Sequence, residues 1–338
     1  MSGRDVGAAA PGAVAAGDEM APAGLEAVTA AGSEAAGAAA APHGRAAVTP
    51  GVRLHDLPVG TVEERIRMAA ARGFRCIQLP SKVLYASYGI DRSGLTPALA
   101  QHLRRELDAS GVQVAVLGCY KNLAVPDAAQ LAENLAEYEA CLAFAAELGG
   151  CPVGTETGRP NADNAIGDDR LTDAALDRFC AGLAQALAYA ERAGVRLLIE
   201  PGWNEVVCTP ERCRQVLDRM DSPVLGVIYD AVSLLHPRVA APAAAQAEVA
   251  RMLKLCGERI EVLHAKDFEV VANEDAAGWC DGSGSRLVCH GVGATGAFDY
   301  RPVLMWAART RPGIPAIVEN GNAQTFAISR ELLESVSA

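Results

Sequence analysis

The chain has 338 residues, half of them hydrophobic and only 5% aromatic, and its formal net charge at pH 7 is −11. A chain of this length forms one large domain or two ordinary ones, and its negative charge disfavours a nucleic-acid partner, because DNA and RNA are bound by clustered basic faces. It contains no run close to the roughly 20 consecutive apolar residues that a transmembrane helix needs, and its ten cysteines form no CxxC pair. We therefore expect a cytoplasmic protein with reduced thiols and no membrane partner.

The first 46 residues differ in composition from the rest of the chain. They are mainly Ala and Gly with scattered acids and prolines, and they contain few large aliphatic residues. Such a segment cannot bury enough apolar surface to offset the entropy lost on ordering it. Residues 1–46 are therefore predicted to be a disordered low-complexity tail, or an over-extended start site, ahead of one folded catalytic domain over residues 47–338.

Eight β-strands are predicted in the remaining residues, where short aliphatic runs alternate with helical segments. The runs are GVRLHDL (51–57), RCIQLP (75–80), VQVAVLGCY (112–120), CPVGTETG (151–158), RLLIEP (196–201), LGVIYDA (225–231), IEVLHAKDF (260–268) and AIVEN (316–320). This alternation is typical of βα units in a parallel sheet. Helix ends are marked too, because Thr172 and Thr209 are suitable N-caps and Gly194 is a suitable C-cap.

Eight βα units indicate the α/β class and, within it, a single-domain (β/α)₈ TIM barrel. The alternative is a doubly wound open sheet with a nucleotide-binding crevice. The sequence has neither a GxGxxG motif after the first strand nor a Walker motif, which disfavours that alternative.

The last four predicted strands each end on a side chain that is able to bind a metal ion. These residues are Glu200, Asp230, His264 and Glu319. The residues two positions earlier are all aliphatic: Leu198, Ile228, Val262 and Ile317. Residues two apart share one face of a strand, and the functional groups of a TIM barrel lie at the carboxyl ends of its strands. We therefore expect the four polar side chains to converge above the apolar filling of the barrel.

Three carboxylates and one imidazole form an oxygen-rich ligand set. Such a set suits Mn²⁺, Mg²⁺ or Co²⁺ better than a structural Zn²⁺, which prefers thiolates and more imidazoles. A single acid at a strand end is more often a cap or a salt-bridge partner. Four such residues at one end of four consecutive strands favour a metal site over that structural interpretation.

Several short motifs, in their order and spacing, resemble a known family. The motifs are RLHDL, GFRCIQLPSK, VGTETG, LIEP, GVIYDAVSLL, VLHAKDF, GVGATGAFDY and AIVEN. Together they resemble the sugar phosphate isomerase/epimerase group of xylose isomerase-like TIM barrels. This group includes ketose 3-epimerases, inosose dehydratases, hydroxypyruvate isomerases and, more distantly, DNA-repair enzymes of the endonuclease IV type.

The resemblance implies one divalent metal ion held by Glu200, Asp230, His264 and Glu319, with Glu200 and Glu319 moving the proton. Mn²⁺ is the first choice for this ion, and Mg²⁺, Co²⁺ or Zn²⁺ are the alternatives. The chain also departs from many relatives. It has Glu205 where they have a histidine soon after the fifth strand, and DAVS (230–233) where they have Asp-Pro-Val-Asn.

The chemistry that such a site supports is the formation of an enediolate. A divalent ion lowers the cost of forming it from a ketose, and a carboxylate on each side of the adjacent carbon removes a proton from one face and returns it to the other. This predicts an isomerase or epimerase that acts on a small ketose or polyol-derived substrate. A lyase that dehydrates a keto-inositol-type substrate and a barrel that binds a sugar without turnover are the alternatives. An endonuclease IV-like hydrolase is disfavoured, because its zinc cluster is rich in histidine and this chain has six histidines.

Six further side chains at or near the predicted strand ends are candidates for contact with a small carbohydrate substrate. They are Lys266, Glu156, Trp203, Gln78, His55 and Tyr120. The two aromatic rings suit a sugar surface, although packing within loops is the alternative for both. Lys266 has the alternative of reaching solvent, and Glu156 that of an ion pair with Arg159. A homo-oligomer is left open.

The segment after the seventh strand, residues 269–300, is long and rich in Gly and polar residues. Long loops on the functional face of a barrel are commonly lids or binding loops, so we predict such a loop here. Its GVGATGAFDY part resembles the tight Gly turn of the family and lacks the Lys-Ser/Thr of a phosphate loop.

Overall fold

The structure is a computed structural model that describes residues 46–237, 240–272 and 284–337. Residues 1–45, which make up nearly all of the predicted tail, lie outside the described residues. Contacts divide the chain into two units, Met1–Ala41 and Pro42–Ala338, and the fold described below belongs to the second. Its first described residue, Ala46, pairs with Ser337 in an isolated antiparallel bridge.

Eight parallel strands close into a barrel, which confirms the predicted TIM barrel. The described strands are β1 (Val48–Arg53), β2 (Cys76–Pro80), β3 (Gln113–Gly118), β4 (Val153–Glu156), β5 (Leu197–Glu200), β6 (Leu225–Asp230), β7 (Ile260–Ala272), β8 (Ser285–Gly291) and β9 (Ile314–Val318). Neighbours pair in the order β1 to β7, then β9, and β9 returns to pair with β1. The remaining strand, β8, pairs antiparallel with β7.

Helices follow the barrel strands and cover the outside of the barrel. The described α-helices are α1 (Val62–Ala71), α2 (Ser81–Tyr88), α3 (Pro97–Ser110), α4 (Ala128–Glu147), α5 (Asp173–Ala193), α6 (Pro210–Met220), α7 (Pro242–Cys256), α8 (Arg301–Thr310) and α9 (Phe326–Glu334). The expected caps are present. Thr172 and Thr209 accept hydrogen bonds from the first turns of α5 and α6, and Gly194 ends α5 in the left-handed conformation. None of the helices in the described residues combines the length and the apolar character needed to cross a bilayer.

The barrel interior is a small apolar cluster, separate from the larger core between the sheet and the helices. Its members are Cys76, Ala115, Val116, Leu198, Ile228, Val262 and Ile317. The four aliphatic residues predicted to lie beneath the polar quartet are therefore all inside the barrel. Gly154 makes room for this filling, because a Cβ there would lie 2.6 Å from both Ile228 Cδ1 and Val116 Cγ2.

Two predicted elements differ from the structure. The first strand was predicted at residues 51–57, but β1 covers Val48–Arg53, and residues 54–56 form a short 3₁₀ turn. Pairing with β9 sets these bounds, because the register begins at Val48 opposite Ile314. Pro50 makes this stretch look like a loop in the sequence, but its carbonyl still accepts a hydrogen bond from Arg75 N.

The second difference is in the long segment after the seventh strand, which was predicted to be a loop. In the structure β7 runs on to Ala272 and forms an antiparallel hairpin with β8, in register from Lys266 opposite Gly291 to Ala272 opposite Ser285. Two short runs that contain valine, EVV and RLVCH, are the signal for this hairpin. The Gly-rich stretch 273–283 lies outside the described residues.

Candidate metal centre

The four predicted metal ligands meet at the carboxyl-terminal mouth of the barrel. Glu200 and Asp230 end β5 and β6, His264 lies in β7, and Glu319 follows β9 directly. These are four neighbouring strands of the closed sheet. The potential ligand atoms of the four side chains all lie within 4.8 Å of one another, and all four residues are buried. These four residues, which are far apart in the sequence, thus form a compact cluster, which we call the quartet.

His264 lies at the centre of the quartet. Its Nδ1 is 3.1 Å from Glu200 Oε1 and 3.3 Å from Glu319 Oε1. The backbone beneath it is fixed by Tyr300, whose hydroxyl donates a 2.5 Å hydrogen bond to the His264 carbonyl. Asp230 is oriented in a similar way, because its Oδ1 accepts hydrogen bonds from Val232 N and Ser233 N at 2.8 and 2.9 Å. Hydrogen bonds therefore fix the His264 backbone and the Asp230 side chain.

Two cations contact the quartet. Lys266 Nζ lies 2.8 Å from Asp230 Oδ2 and 3.2 Å from Glu319 Oε2, and it also donates to Ser233 Oγ at 2.9 Å. Arg53 Nη1 lies 3.3 Å from Glu319 Oε1. Arg53 also forms a two-pronged ion pair with Asp56, at 3.0 and 2.9 Å.

Despite these two cations, the electrostatic potential at His264 is negative. Burial lowers the pKa of His264, but the carboxylates of Glu200 and Glu319 outweigh burial and raise this pKa to about 9. Burial raises the pKa of Glu319, and the positive charges of His264, Lys266 and Arg53 outweigh it and lower this pKa well below its usual range. Glu319 is therefore ionised at neutral pH.

The quartet fits a divalent cation. Together with Asp56 it places four carboxylates against Lys266, Arg53 and the protonated His264, so negative charge remains to be neutralised, and His264 would lose its proton on binding a metal ion. Three carboxylates and one imidazole nitrogen form a hard, mainly oxygen ligand set. Within one small site, this set satisfies both the charge and the donor preference of Mg²⁺ or Mn²⁺.

The six predicted substrate contacts line one cavity of about 710 Å³ above the quartet. They are Lys266, Glu156, Trp203, Gln78, His55 and Tyr120. Gln78 is buried and its Nε2 donates to the Tyr120 hydroxyl. Trp203 packs edge-on against His236, with 4.7 Å between the ring centres. The Trp203 ring thus packs against the segment after β6 and forms part of the cavity wall.

The structure decides against the solvent-exposed alternative for Lys266 but does not decide whether Glu156 pairs with Arg159. Lys266 does not reach out to solvent, since its side chain is only 12% exposed and its ammonium forms ion pairs with Asp230 and Glu319. Glu156 is exposed towards the cavity, where desolvation by the walls and the charges of Glu205 and Glu200 raise its pKa to about 8. Arg159 donates to the carbonyls of Asn204 and Asn164, and its ion pair with Glu156 stays a prediction.

Glu205, one of the two departures from the family pattern, forms hydrogen bonds that stabilise the structure. Its Oε2 accepts hydrogen bonds from Thr157 N at 2.5 Å, Gly158 N at 2.8 Å and Thr157 Oγ1 at 3.0 Å. A buried carboxylate that accepts several N–H and O–H groups is well satisfied. Glu205 therefore ties the segment after β4 to the segment after β5.

Asp267 has a similar role in the Gly-rich turn before α8. Its carboxylate accepts hydrogen bonds from the backbone N–H groups of Phe268, Thr295, Gly296 and Phe298. The turn therefore wraps around a buried carboxylate that belongs to the same strand as His264. It connects the hairpin to α8 and is a structural turn of the site.

Sequence reasoning missed three residues of this region: Arg53, Asp56 and Ser233. Asp56 accepts a hydrogen bond from Asn320 N at 2.7 Å, next to Glu319, so the Arg53–Asp56 pair joins the ends of β1 and β9. The parity rule could have found Arg53, because it shares an inward face with Gly51, whose Cβ would meet Ile317 inside the barrel. The predicted strand ended at Leu57, so Arg53 was not recognised as the last residue of β1.

Residues 66–336 match the model of one protein family, the xylose isomerase-like TIM barrel. The chain belongs to this family. The match begins within α1, after β1, and runs to the C-terminal helix, so it includes the whole quartet. No curated protein is similar enough in sequence to count as a match.

Solved structures show the same fold at low sequence identity. The 3-keto-D-glucoside 4-epimerase YcjR of E. coli, in its apo form, has a TM-score of 0.58 and 14% identity, over 86% of this chain and all of that chain. A xylose isomerase-like TIM barrel protein of Mycobacterium smegmatis in complex with magnesium has a TM-score of 0.60 and 15% identity, over 88% and 98%. The probable 3-DHS dehydratase AsbF of Bacillus anthracis has a TM-score of 0.60 and 12% identity, over 84% and 97%. At these identities the likeness establishes the fold.

Proposed function

We propose that the protein is a divalent-metal-dependent isomerase or epimerase that acts on a small ketose or polyol-derived sugar through an enediolate. The observation that carries this proposal is the quartet, in which four buried ligand side chains have their ligand atoms within 4.8 Å of one another. Glu200, Asp230, His264 and Glu319 would hold the metal ion, with Mn²⁺ as the first choice and Mg²⁺, Co²⁺ or Zn²⁺ as alternatives.

The proton chemistry is assigned to Glu200 and Glu319. A bound divalent ion would supply Lewis-acid polarisation of the substrate carbonyl. Glu200 and Glu319 are the outer members of the quartet, since β6 and β7 lie between β5 and β9 in the barrel. Two carboxylates on opposite sides of one carbon suit removal of a proton from one face and its return from the other.

The cavity supports a small polar substrate. Its volume of about 710 Å³ falls in the usual range for small-molecule sites, and its lining combines charged, amide and aromatic groups. We propose that Lys266, Glu156, Trp203, Gln78, His55 and Tyr120 contact the substrate. The cytoplasmic location, the homo-oligomer and the domain boundary at residue 47 stay predictions.

The test combines metal binding with isotope exchange. The purified protein, Glu200→Gln and Glu319→Gln are compared for metal content and Mn²⁺ affinity, with Glu156→Gln as the control that changes a cavity carboxyl group outside the quartet. We expect stoichiometric metal in the wild type and the control, and loss of affinity in both quartet variants. Ketoses and keto-inositols are then incubated with the wild type in D₂O.

The product identifies the reaction. Deuterium at a carbon next to the carbonyl, with inversion or carbonyl transfer, supports the isomerase or epimerase. Loss of water from a keto-inositol would replace it with the lyase alternative. Metal binding without any exchange would favour the alternative of a barrel that binds a sugar without turnover. No metal binding at all would overturn the proposal that the quartet is a metal site.

A further inference from the structure

One part of the cavity wall is polar, cationic and incompletely hydrogen-bonded. It is formed where β1 and β2 end and α2 begins, by His55, Gln78 and Lys82. We call these three residues the β1–β2 subsite. Arg53 lies next to both the subsite and the quartet, because it contacts Glu319 and its charge acts on His55.

Lys82 lies in the first turn of α2 and faces the cavity. Its ammonium is exposed and has no ion-pair or hydrogen-bond partner among the residues that the structure describes. The N-cap of α2 is Pro80, which provides no side-chain hydrogen bond to the first turn. An uncapped helix N-terminus attracts anions through its free N–H groups and its dipole, and here a lysine adds a full positive charge at the same place.

Three buried polar atoms nearby also lack partners in the described part of the chain. They are His55 Nδ1, Gln78 Oε1 and, on α1, Arg65 Nε. A buried polar group without a partner costs free energy, and native proteins satisfy nearly all such groups. Two of these atoms belong to cavity-lining residues, so a ligand in the cavity is a natural partner for them.

The charges around His55 are mainly positive. Burial and the charges of Arg53, Lys82 and Arg65 lower the pKa of His55 to about 4, so the ring is neutral at pH 7 and offers one N–H donor. Arg53 is already paired with Asp56 and Glu319. Lys82 and Arg65 form no ion pair within the described ranges, and they leave an excess of positive charge around His55.

We propose that the β1–β2 subsite binds an anionic group of the substrate, a carboxylate or a phosphate, at the end of the molecule away from the carbonyl. Lys82 and the first turn of α2 hold the anionic oxygens, His55 donates a hydrogen bond, and Gln78 Oε1 accepts one from a neighbouring hydroxyl. The substrate class is then an acidic or phosphorylated ketose. This inference rests on the proposed function, because the quartet fixes which end of the sugar is reactive.

Binding is measured by calorimetry on the full chain with saturating Mg²⁺. The probes are D-fructose, D-fructose 6-phosphate and D-fructuronate, which share a ketose end and differ at the sixth carbon, together with inorganic phosphate. Lys82→Met removes the proposed cation. Lys121→Met is the matched control, because Lys121 also lines the cavity but lies 4.0 Å from Glu137 Oε1.

We expect at least one charged ketose to bind roughly tenfold tighter than D-fructose, as a charge-assisted hydrogen bond allows. Lys82→Met should remove most of this preference, and Lys121→Met should keep it within about twofold. The tighter of the two charged ketoses identifies the anion as a carboxylate or a phosphate. Equal affinity for all three ketoses, or equal losses in the two variants, would overturn the subsite.

Failure of the proposed function gives a different pattern. If no ketose binds, phosphate binding that weakens in Lys82→Met but not in Lys121→Met supports the subsite and counts against the ketose chemistry. If phosphate binding is absent or equal in both variants, the subsite is wrong. Metal affinity, measured separately on the quartet variants, stays independent of both results.

Discussion

Lys266 and a divalent cation should compete for the same two carboxylates. The Lys266 ammonium lies 2.8 Å from Asp230 Oδ2 and 3.2 Å from Glu319 Oε2, and both residues belong to the quartet. We therefore predict that Lys266→Met makes the metal-free protein less stable and binds Mn²⁺ more tightly than the wild type does. The two changes have opposite signs, so a general loss of structure would not reproduce them.

The contact distances give the magnitude. At an effective dielectric constant of about 20, each ion pair has a Coulomb attraction of roughly 5 to 6 kcal/mol, much of which is offset by desolvation of the three groups. Removing one partner of a buried pair costs about 3–5 kcal/mol, which corresponds to a fall in melting temperature of roughly 10 °C. Loss of the competing charge should tighten Mn²⁺ binding at least tenfold, or about 1.4 kcal/mol.

The assay is calorimetric titration with Mn²⁺, together with thermal melts in EDTA and in saturating Mn²⁺. Ser233→Ala is the matched control, because it removes the hydroxyl that accepts from Lys266 at 2.9 Å and keeps the charge. We expect the control to resemble the wild type in Mn²⁺ affinity. Unchanged or weaker Mn²⁺ binding by Lys266→Met would refute the competition between ammonium and metal.

Three further predictions concern the scaffold and its pH dependence. Asp267→Ala leaves four backbone N–H groups without their carboxylate and should lower the free energy of unfolding by about 3–5 kcal/mol in urea denaturation; an unchanged midpoint would contradict this. Gly154→Val places a side chain against Ile228 inside the barrel and should cost about 1–3 kcal/mol by the same assay, whereas a neutral effect would mean that the interior has spare room. Against burial, hydrogen bonds from His102 and other neighbours lower the pKa of Glu63 to about 2, below its unfolded value of about 4.3. The stabilising contribution of Glu63 is therefore present above pH 5 and is lost as the pH falls towards 2. Thermal melts should show Glu63→Gln less stable than the wild type at pH 7, with a difference that shrinks between pH 5 and pH 3; a constant difference would contradict the shift.

The sequence was sufficient to predict the barrel and the convergence of the four quartet side chains. Parallel strands that alternate with helices have few ways to close, and the two-residue period of a strand places Leu198 inside the barrel and Glu200 at its mouth. The same reasoning applies to the strands that end at Asp230, His264 and Glu319. Because the carboxyl ends of all barrel strands lie on one face, convergence of these side chains followed from local pattern and strand count alone.

The sequence did not determine strand bounds where pairing decides them. The start of β1 at Val48 depends on its register with β9, and the hairpin depends on β8 folding back onto β7. A local pattern contains no information about which strand will supply the hydrogen-bonding partner. The bounds of an edge or closing strand are therefore properties of the sheet.

The tertiary structure alone decided which charges neutralise the quartet. Arg53 meets Glu319 only because the barrel closes between β1 and β9, and Asp56 meets Asn320, 264 residues later, for the same reason. Lys266 turns towards Asp230 because β6 and β7 are neighbours in register. Electrostatic interactions between side chains depend on distances of a few ångströms, and such distances exist only after distant segments have packed together. The hydrophobic period and the strand ends, by contrast, are already encoded along the chain.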